Sequence, residues 1–288
     1  MNRRTFLQSS VALPAAVGAI SSTVAAQHNR GSRSLNLSLS QHLERIGVQL
    51  YTVRSLLAND YEGTIRAVAD LGYDEVEAVW DPDRNPEDIR ALFEDVELAA
   101  PSTHAPIQAL KNNLEQVLDA AQIIGHSYIV CPWLSEEQRS MEQYKNHVIL
   151  FNEVGAACKE VGIQFAYHNH EFEFEAKEDG IIPYDLLLEE TDPELVKMEL
   201  DLYWVAYANQ DPIEYFNRYP GRFPLSHVKD MGSDRQMAAV GEGEIDFASI
   251  FAESETAGMK YYIVEHDHPD DAMASIQTSI QYLRTLEF

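Results

Sequence analysis

The chain has only two cysteines, Cys131 and Cys158, in 288 residues, which excludes a disulfide-built scaffold. One bridge in an oxidising compartment and two buried thiols both fit that count. Positive charge is scarce too: 21 Lys and Arg face 47 Asp and Glu, a formal net charge of −26. Nucleic-acid binding needs clustered cations, so that class is excluded. An anionic membrane surface would be repelled, and a neutral or cation-assisted small molecule suits this balance. Long apolar runs are missing as well. The stretch VALPAAVGAISSTVAAQ (11–27) is broken by Pro14 and Gly18 and is too short to span a bilayer. No GxGxxG or GxxxxGKS/T loop follows any apolar run, which removes the main support for nucleotide-binding folds.

What is present begins at the first residues. MNRRTFLQSS pairs Arg3 with Arg4 ahead of Phe6, Leu7 and the short apolar stretch, and Val24-Ala25-Ala26 makes a cleavage site. That is the pattern of a twin-arginine export signal, the alternative being a plain basic tail. The expected organisation is a signal peptide over 1–26, a polar linker over 27–44 and one catalytic domain over 45–288. The expected destination is the periplasm or the cell exterior. The twin-arginine route carries folded proteins, which suits one that takes up its metal before export.

About 260 residues then remain, the usual size of a TIM barrel. Short β-branched runs recur among helical patterns, the signature of βαβ units. The runs are RIGVQLY (45–51), DEVEAVW (74–80), ELAAPSTHA (97–105) and SYIVCPW (127–133). GIQFAYHNH (162–170), LVKMELDLYW (195–204), FPLSHVKD (223–230) and KYYIVEHD (260–267) follow. Gly72, Gly125, Gly162 and Gly258 are placed to close helices, and Asp211-Pro212 and Asp246 to open them. Eight strands alternating with eight helices predict an α/β fold, a single (β/α)8 TIM barrel.

Barrel chemistry gathers at the C-terminal ends of the strands. Those ends carry Glu77, His104, Trp133, His168, His170, Asp201, His227, Lys229, Glu265, His266 and His268, which places six of the ten histidines at strand exits. One such histidine alone is more often a satisfied structural residue; the set points to a metal. Taking one residue from each of strands five to eight gives His168, Asp201, His227 and Glu265, with His170 as the alternative strand-five ligand. Mixed imidazole and carboxylate ligation suits Mn²⁺, Co²⁺, Fe²⁺ or Zn²⁺ better than Mg²⁺ or Ca²⁺. Lys229 falls on the His227 side of its strand, where it either stabilises an enolate or pairs with Asp230 or Asp201. Trp80, Trp133 and Trp204 stand at or just past strand ends, as sugar-stacking walls or as top-layer core.

The blocks IGVQLYTVR, VEAVW, STHAP, YHNHEFEF, LDLYW, SHVKD with GEGEIDF, and IVEHD resemble, in order and spacing, the sugar phosphate isomerase/epimerase superfamily. This is the xylose isomerase-like TIM barrel of the AP endonuclease family 2 type, which also holds inosose dehydratases. The likeness covers nearly all of 45–287. It implies one divalent metal, usually Mn²⁺, and carries the ligand roles to Asp201, His227 and Glu265. Two departures stand out. Many members have Glu-Asn-His where this chain has His168-Asn169-His170, and many have a histidine where it has Trp204. In the ketose 3-epimerases two metal-bound glutamates act as paired bases, and one of them would here be His168.

The resemblance implies a metal-dependent sugar isomerase or epimerase acting next to a carbonyl on a non-phosphorylated or keto sugar. Glu265 is the expected base, with His170, His104 or Lys229 moving the second proton, and Glu77, His104, Trp133 and Trp204 lining the substrate pocket. Phosphosugars normally stay in the cytoplasm, and GEGEID would repel a phosphate. The alternatives are a lyase or dehydratase, of the inosose dehydratase or 3-keto-glycoside lyase kind, and a non-catalytic periplasmic sugar-binding protein. The expected partner is a small carbohydrate, without nucleic acid or membrane, and the relatives suggest a homodimer.

Overall fold

The computed structural model describes residues 41–177 and 180–288. The expected export signal and residues 27–40 of the expected linker lie outside the described residues. The end of that linker is tied down: Gln41 and Phe288 exchange two backbone hydrogen bonds, at 2.8 and 3.1 Å, and Leu43 is buried.

Eight parallel strands close a barrel. They are β1 (Gly47–Gln49), β2 (Glu75–Val79), β3 (Ala99–His104) and β4 (Tyr128–Cys131), then β5 (Gln164–His168), β6 (Val196–Asp201), β7 (Leu225–Val228) and β8 (Tyr261–Val264). Each pairs with its sequence neighbour, and β8 returns to β1 with Gly47 opposite Ile263. Every barrel strand lies inside its expected run, and the expected (β/α)8 barrel is the observed fold. The helix signals also act as read. Gly125 and Gly258 end helices at φ 96° and 76°, a left-handed conformation in which a Cβ is penalised. Asp211 and Asp246 cap the helices that follow them, accepting from the amides of Ile213 and Ser249.

Side chains alternate across each strand, so the barrel has an inner and an outer apolar set. Tyr128, Val130, Ala166, Leu225 and Ile263 form a small cluster of their own, the plug of the barrel interior. The larger cluster joins strand residues such as Val48, Val76, Phe165 and Met198 to helix residues such as Ile65, Val117, Phe151 and Leu187. Each fully buried aliphatic side chain there stabilises by about 1.5–3 kcal/mol. Two residues beyond Ala166, Leu225 and Ile263, on the same inward face, stand His168, His227 and Glu265. Cys131 and Cys158 are free, and burial pushes both thiols up to about 12. They belong to the core, and the bridge is not formed. Among the described residues no helix is long and apolar enough to cross a membrane.

The GEGEID segment owes its shape to Asp230, just past β7. This buried carboxylate accepts from the amides of Met231 (2.8 Å), Gly241 (2.9 Å), Gly243 (2.9 Å) and Ile245 (3.2 Å). A Cβ on Gly243 would stand 2.2 Å from Asp230 Oδ1 and 2.6 Å from the Met231 carbonyl. The glycine is there so that the backbone can close on the carboxylate. Gly243→Ala is expected to cost about 1–3 kcal/mol, read as a fall of at least about 2 °C in melting temperature; an unchanged melt would refute the close approach.

Candidate metal centre at the barrel mouth

The register of the strands assembles the site. His168 on β5 lies opposite Glu199 on β6, and Asp201 at the end of β6 lies opposite His227 on β7. Glu265 follows β8 directly, and Lys229 follows β7 directly. Glu265 Oε2 is 2.7 Å from His227 Nδ1 and 2.6 Å from Lys229 Nζ. The same ammonium reaches Asp201 Oδ2 and Asp267 Oδ1, each at 2.9 Å. His168 Nε2 approaches Asp201 Oδ2 at 3.6 Å. Asp201 is set by its neighbours: Asn169 Oδ1 accepts its amide at 3.0 Å, and its own Oδ1 caps the next helix by accepting from Trp204 N at 2.9 Å.

Below this ring lies a second layer. Glu77 Oε1 accepts from Gln49 Nε2 at 2.6 Å and meets His104 Nε2 and His227 Nε2 at 2.8 and 2.7 Å. Glu199 Oε2 meets His104 Nε2, His168 Nδ1 and His227 Nε2 at 2.8, 3.0 and 3.1 Å. Glu77 and Glu199 are fully buried.

Burial disfavours every charge here, so the partners decide which survive. Burial alone would raise Glu265, but Lys229 and His227 outweigh it and hold the carboxyl well below the usual carboxylate range. Burial would deprotonate Lys229, yet Asp201 and Glu265 hold it well above its ordinary value. Burial pushes Asp201 up to about 6 against the pull of Lys229, and lifts Glu199 to about 7 with help from Glu77. Burial would lower His104, but Glu77 and Glu199 raise it to about 9. His168 and His170 are driven well below the ordinary histidine value, by burial first and then by neighbouring cationic groups. Both are neutral at pH 7, and a neutral imidazole has a lone pair to offer.

The segment YHNHEFEF leaves the barrel at His168 and turns through a short 3-10 helix, Glu171–Glu173. Alternation therefore stops at His168, and Phe172, Glu173 and Phe174 are all buried, whereas Glu175 is exposed. Glu173 anchors the turn. Its Oε2 accepts the His170 amide at 2.8 Å, and its Oε1 accepts the hydroxyls of Tyr167 and Tyr144 at 2.5 and 3.3 Å. Burial pushes its carboxyl up to about 8 against those hydrogen bonds. The His170 ring lies 5.0 Å from that of His168 and 5.4 Å from that of Trp204, and its Nδ1 is buried without a hydrogen-bond partner.

The sequence-predicted residues separate by depth. His168, Asp201, His227 and Glu265 converge, with Lys229 among them and His170 and Trp204 alongside. Lys229 takes Asp201 but not Asp230 among the partners anticipated for it. His104 sits in the layer below the ring, joined to both glutamates, and Glu77 lies beneath it with no exposed surface. Trp133 is 48% exposed on the rim, with the Arg139 guanidinium 5.3 Å from its ring centre. His266 and His268 turn away, to Ser275 Oγ and to Arg54. Glu199, Asp267 and Asn169 were missed. The signal for Glu199 was spacing: two residues before Asp201, it shares that residue's inward face.

One nitrogen from each of His168 and His227 and one oxygen from each of Asp201 and Glu265 lie within 4.8 Å of one another, all four residues being buried. Asp201 Oδ2 is buried and is met by the Lys229 ammonium at 2.9 Å and by His168 Nε2 at 3.6 Å. A buried set of two carboxylates and two imidazoles, one of them the neutral His168, fits a divalent ion. His104, His168, Glu199 and His227 make a second such grouping in the layer below.

Residues 65–286 match the family described as the xylose isomerase-like TIM barrel, and the chain belongs to that family. It is 31% identical over 135 residues to an inosose dehydratase of Geobacillus kaustophilus, a match covering 41% of this chain and 43% of that protein. The chain thus spans under half the length of that curated relative. It superimposes on a sugar phosphate isomerase/epimerase from Parabacteroides distasonis with a TM-score of 0.74 at 25% identity, covering 84% of this chain and 98% of the other. It also superimposes on the IolI protein, solved with a zinc atom, with a TM-score of 0.65 at 16% identity over 82% and 95% of the two chains. That last likeness shows the fold alone.

Two measurements check this site. Asp201→Ala is expected to abolish stoichiometric Mn²⁺ or Zn²⁺ binding in metal analysis, and full occupancy in the variant would overturn the ring. Glu173 keeps its proton up to about 8 when folded, against an ordinary glutamate value of 4.5. Its contribution to stability is therefore present at low pH, falls as pH rises through that interval and levels off above 8. Melts of the wild type and Glu173→Gln from about pH 6 to about pH 8 should show the wild type losing ground to the variant; parallel curves would refute the buried proton.

Proposed function

We propose that this xylose isomerase-like barrel is a metal-dependent carbohydrate enzyme that removes a proton next to the carbonyl of a non-phosphorylated or oxidised sugar. Elimination of the β-substituent, as in a dehydratase or lyase, is the outcome this reading favours over two-sided epimerisation. The observation that carries it is the make-up of the ring. An ionised Glu265 stands at β8, and β5 supplies His168 where a paired-base epimerase would have its second carboxylate.

An ion held by the ring would stabilise the negative charge that develops on the substrate carbonyl oxygen. The chain's own groups do the proton work. Glu265 has Oε2 tied to His227 and Lys229, while its Oε1 makes no hydrogen bond to any described residue and is free to accept the α-proton. The C–H electron pair becomes the enolate, the C–O bond to the β-carbon breaks, and the departing oxygen takes a proton from Lys229. Asp201 and Asp267, each 2.9 Å from that ammonium, hold it in place and can stabilise its charge until the donation. Trp204 and the neutral His170 wall one side.

Two features support a substrate without phosphate. In barrels of this kind phosphate is commonly bound by the loops after strands seven and eight. Here the amides of Gly241, Gly243 and Ile245 are already taken by Asp230. The twin-arginine start, Arg3-Arg4, supports action outside the cytoplasm. The likeness to inosose dehydratases supports the elimination arm. A second reading, isomerisation or epimerisation, draws on His170, whose unpartnered Nδ1 offers a base beside the ring.

The deciding experiment incubates the metal-loaded protein with keto sugars, inososes and 3-keto glycosides in D₂O. An unsaturated keto product with loss of water or of a glycosyl group is expected; deuterium exchange without loss would replace elimination with isomerisation. Glu265→Gln should lower turnover by about 10²–10⁴-fold, with bound metal measured in the same sample. Ligand binding without turnover, unchanged in that variant, would leave a binding protein.

A further inference from the structure

His168 and His227 belong to both buried ligand groupings, the upper with Asp201 and Glu265 and the lower with His104 and Glu199. Each of these two rings divides its nitrogens between the layers. His168 turns Nδ1 down to Glu199 at 3.0 Å and Nε2 up toward Asp201 at 3.6 Å. His227 turns Nε2 down to Glu77 and Glu199, at 2.7 and 3.1 Å, and Nδ1 up to Glu265 at 2.7 Å. A neutral imidazole has one N–H and one lone pair, so it can ligate an ion on one side only. Filling both groupings together would require two imidazolates.

The two layers differ in what they offer those nitrogens. The lower carboxylates are fully buried and at hydrogen-bonding distance from three imidazole nitrogens, with His104 Nε2 2.8 Å from each. An ionised carboxylate only accepts, so a nitrogen facing it is best satisfied by carrying the proton. The upper carboxylates are met instead by the Lys229 ammonium, at 2.9 Å from Asp201 and 2.6 Å from Glu265, and Asp201 Oδ2 stands 3.6 Å from His168 Nε2, beyond hydrogen-bonding distance.

We propose that Glu199 is a positioning residue that commits the single proton of His168 to Nδ1, 3.0 Å away, and so aims the Nε2 lone pair at the upper ring, where Asp201 Oδ2 stands 3.6 Å off. The lower grouping is then a proton-holding floor rather than a second metal site. Carboxylates behind metal-bound histidines act in this way elsewhere, fixing tautomer and ring orientation. The assignment rests on the metal reading above, and its test separates the two.

Glu199→Gln is the informative change, because an amide of the same shape donates as well as accepts. It permits the reversed tautomer of His168, with the proton on Nε2 against Asp201. In the metal-free wild type, ¹⁵N NMR of the imidazoles is expected to show His168 protonated on Nδ1, and the variant should shift it toward Nε2. Titration followed by Mn²⁺ EPR should show the variant binding about tenfold to a hundredfold more weakly, with a metal-free fold unchanged by circular dichroism. A wild-type His168 protonated on Nε2 overturns the proposal. So does a variant that binds Mn²⁺ as tightly as the wild type, or anomalous scattering from Mn²⁺ between Glu199 and His104. A wild type that binds no Mn²⁺ sinks the metal reading instead, and the His168 tautomer in the metal-free protein still decides the proton floor.

Discussion

Glu265 Oε2, held between His227 Nδ1 and Lys229 Nζ at 2.7 and 2.6 Å, is the contact on which the rest of the site depends. It joins the ends of β7 and β8 with charges that have almost no exposure to water. Buried charges are tolerated only when paired, and removing one partner of such a pair typically costs about 3–5 kcal/mol. From this contact the pairing spreads outward. Lys229 carries it to Asp201 and Asp267, and His227 carries it down to Glu77 and Glu199. The site behaves as one electrostatic unit, and a change at any member is felt at the others.

The fold supports that unit from beneath and from the sides. The apolar plug of Tyr128, Val130, Ala166, Leu225 and Ile263 fills the barrel and excludes water from under the charged layers. At the sides, polar side chains fix the backbone that carries each functional group. Asn169 holds Asp201 by its amide, Glu173 holds His170 by its amide, and Asp230 gathers four amides of the segment after β7. Each anchor uses a carboxylate or amide oxygen to satisfy N–H groups that would otherwise be buried unpaired. The same anchor at Asp230 occupies the amides of Gly241, Gly243 and Ile245 and so fixes the backbone of the GEGEID segment.

The eight strands were visible in the sequence because β-branched runs punctuated by glycine and aspartate obey local rules, and Gly125, Gly258, Asp211 and Asp246 act where those rules place them. His168, Asp201, His227 and Glu265 were visible because each lies near the C-terminal end of a run. The strand exit at YHNHEFEF was harder. Alternation suggested that the strand carried on through His170, whereas the chain turns after His168, because burying Glu173 between Tyr144 and Tyr167 draws the backbone inward. Glu199 was hidden inside LVKMELDLYW, where a charged residue within an apolar run reads as an exposed face. Glu77 was placed at the substrate as an acid of the second strand, but it stands in the middle of β2, which sets it lower than the ring.

By itself the sequence determined the eight strands and brought His168, Asp201, His227 and Glu265 to the same end of the barrel, since strand period, turn chemistry and chain order act over short distances. Only the tertiary structure decided their depth and their partners. Depth follows from the register between strands, and partners follow from contacts between residues far apart in the chain, such as Glu77 with His227 and His104 with Glu199. Two glutamates that look alike in a strand therefore have different surroundings. Glu265 stands in the ring, and Glu199 lies beneath it, where buried charge must be met by the imidazoles around it.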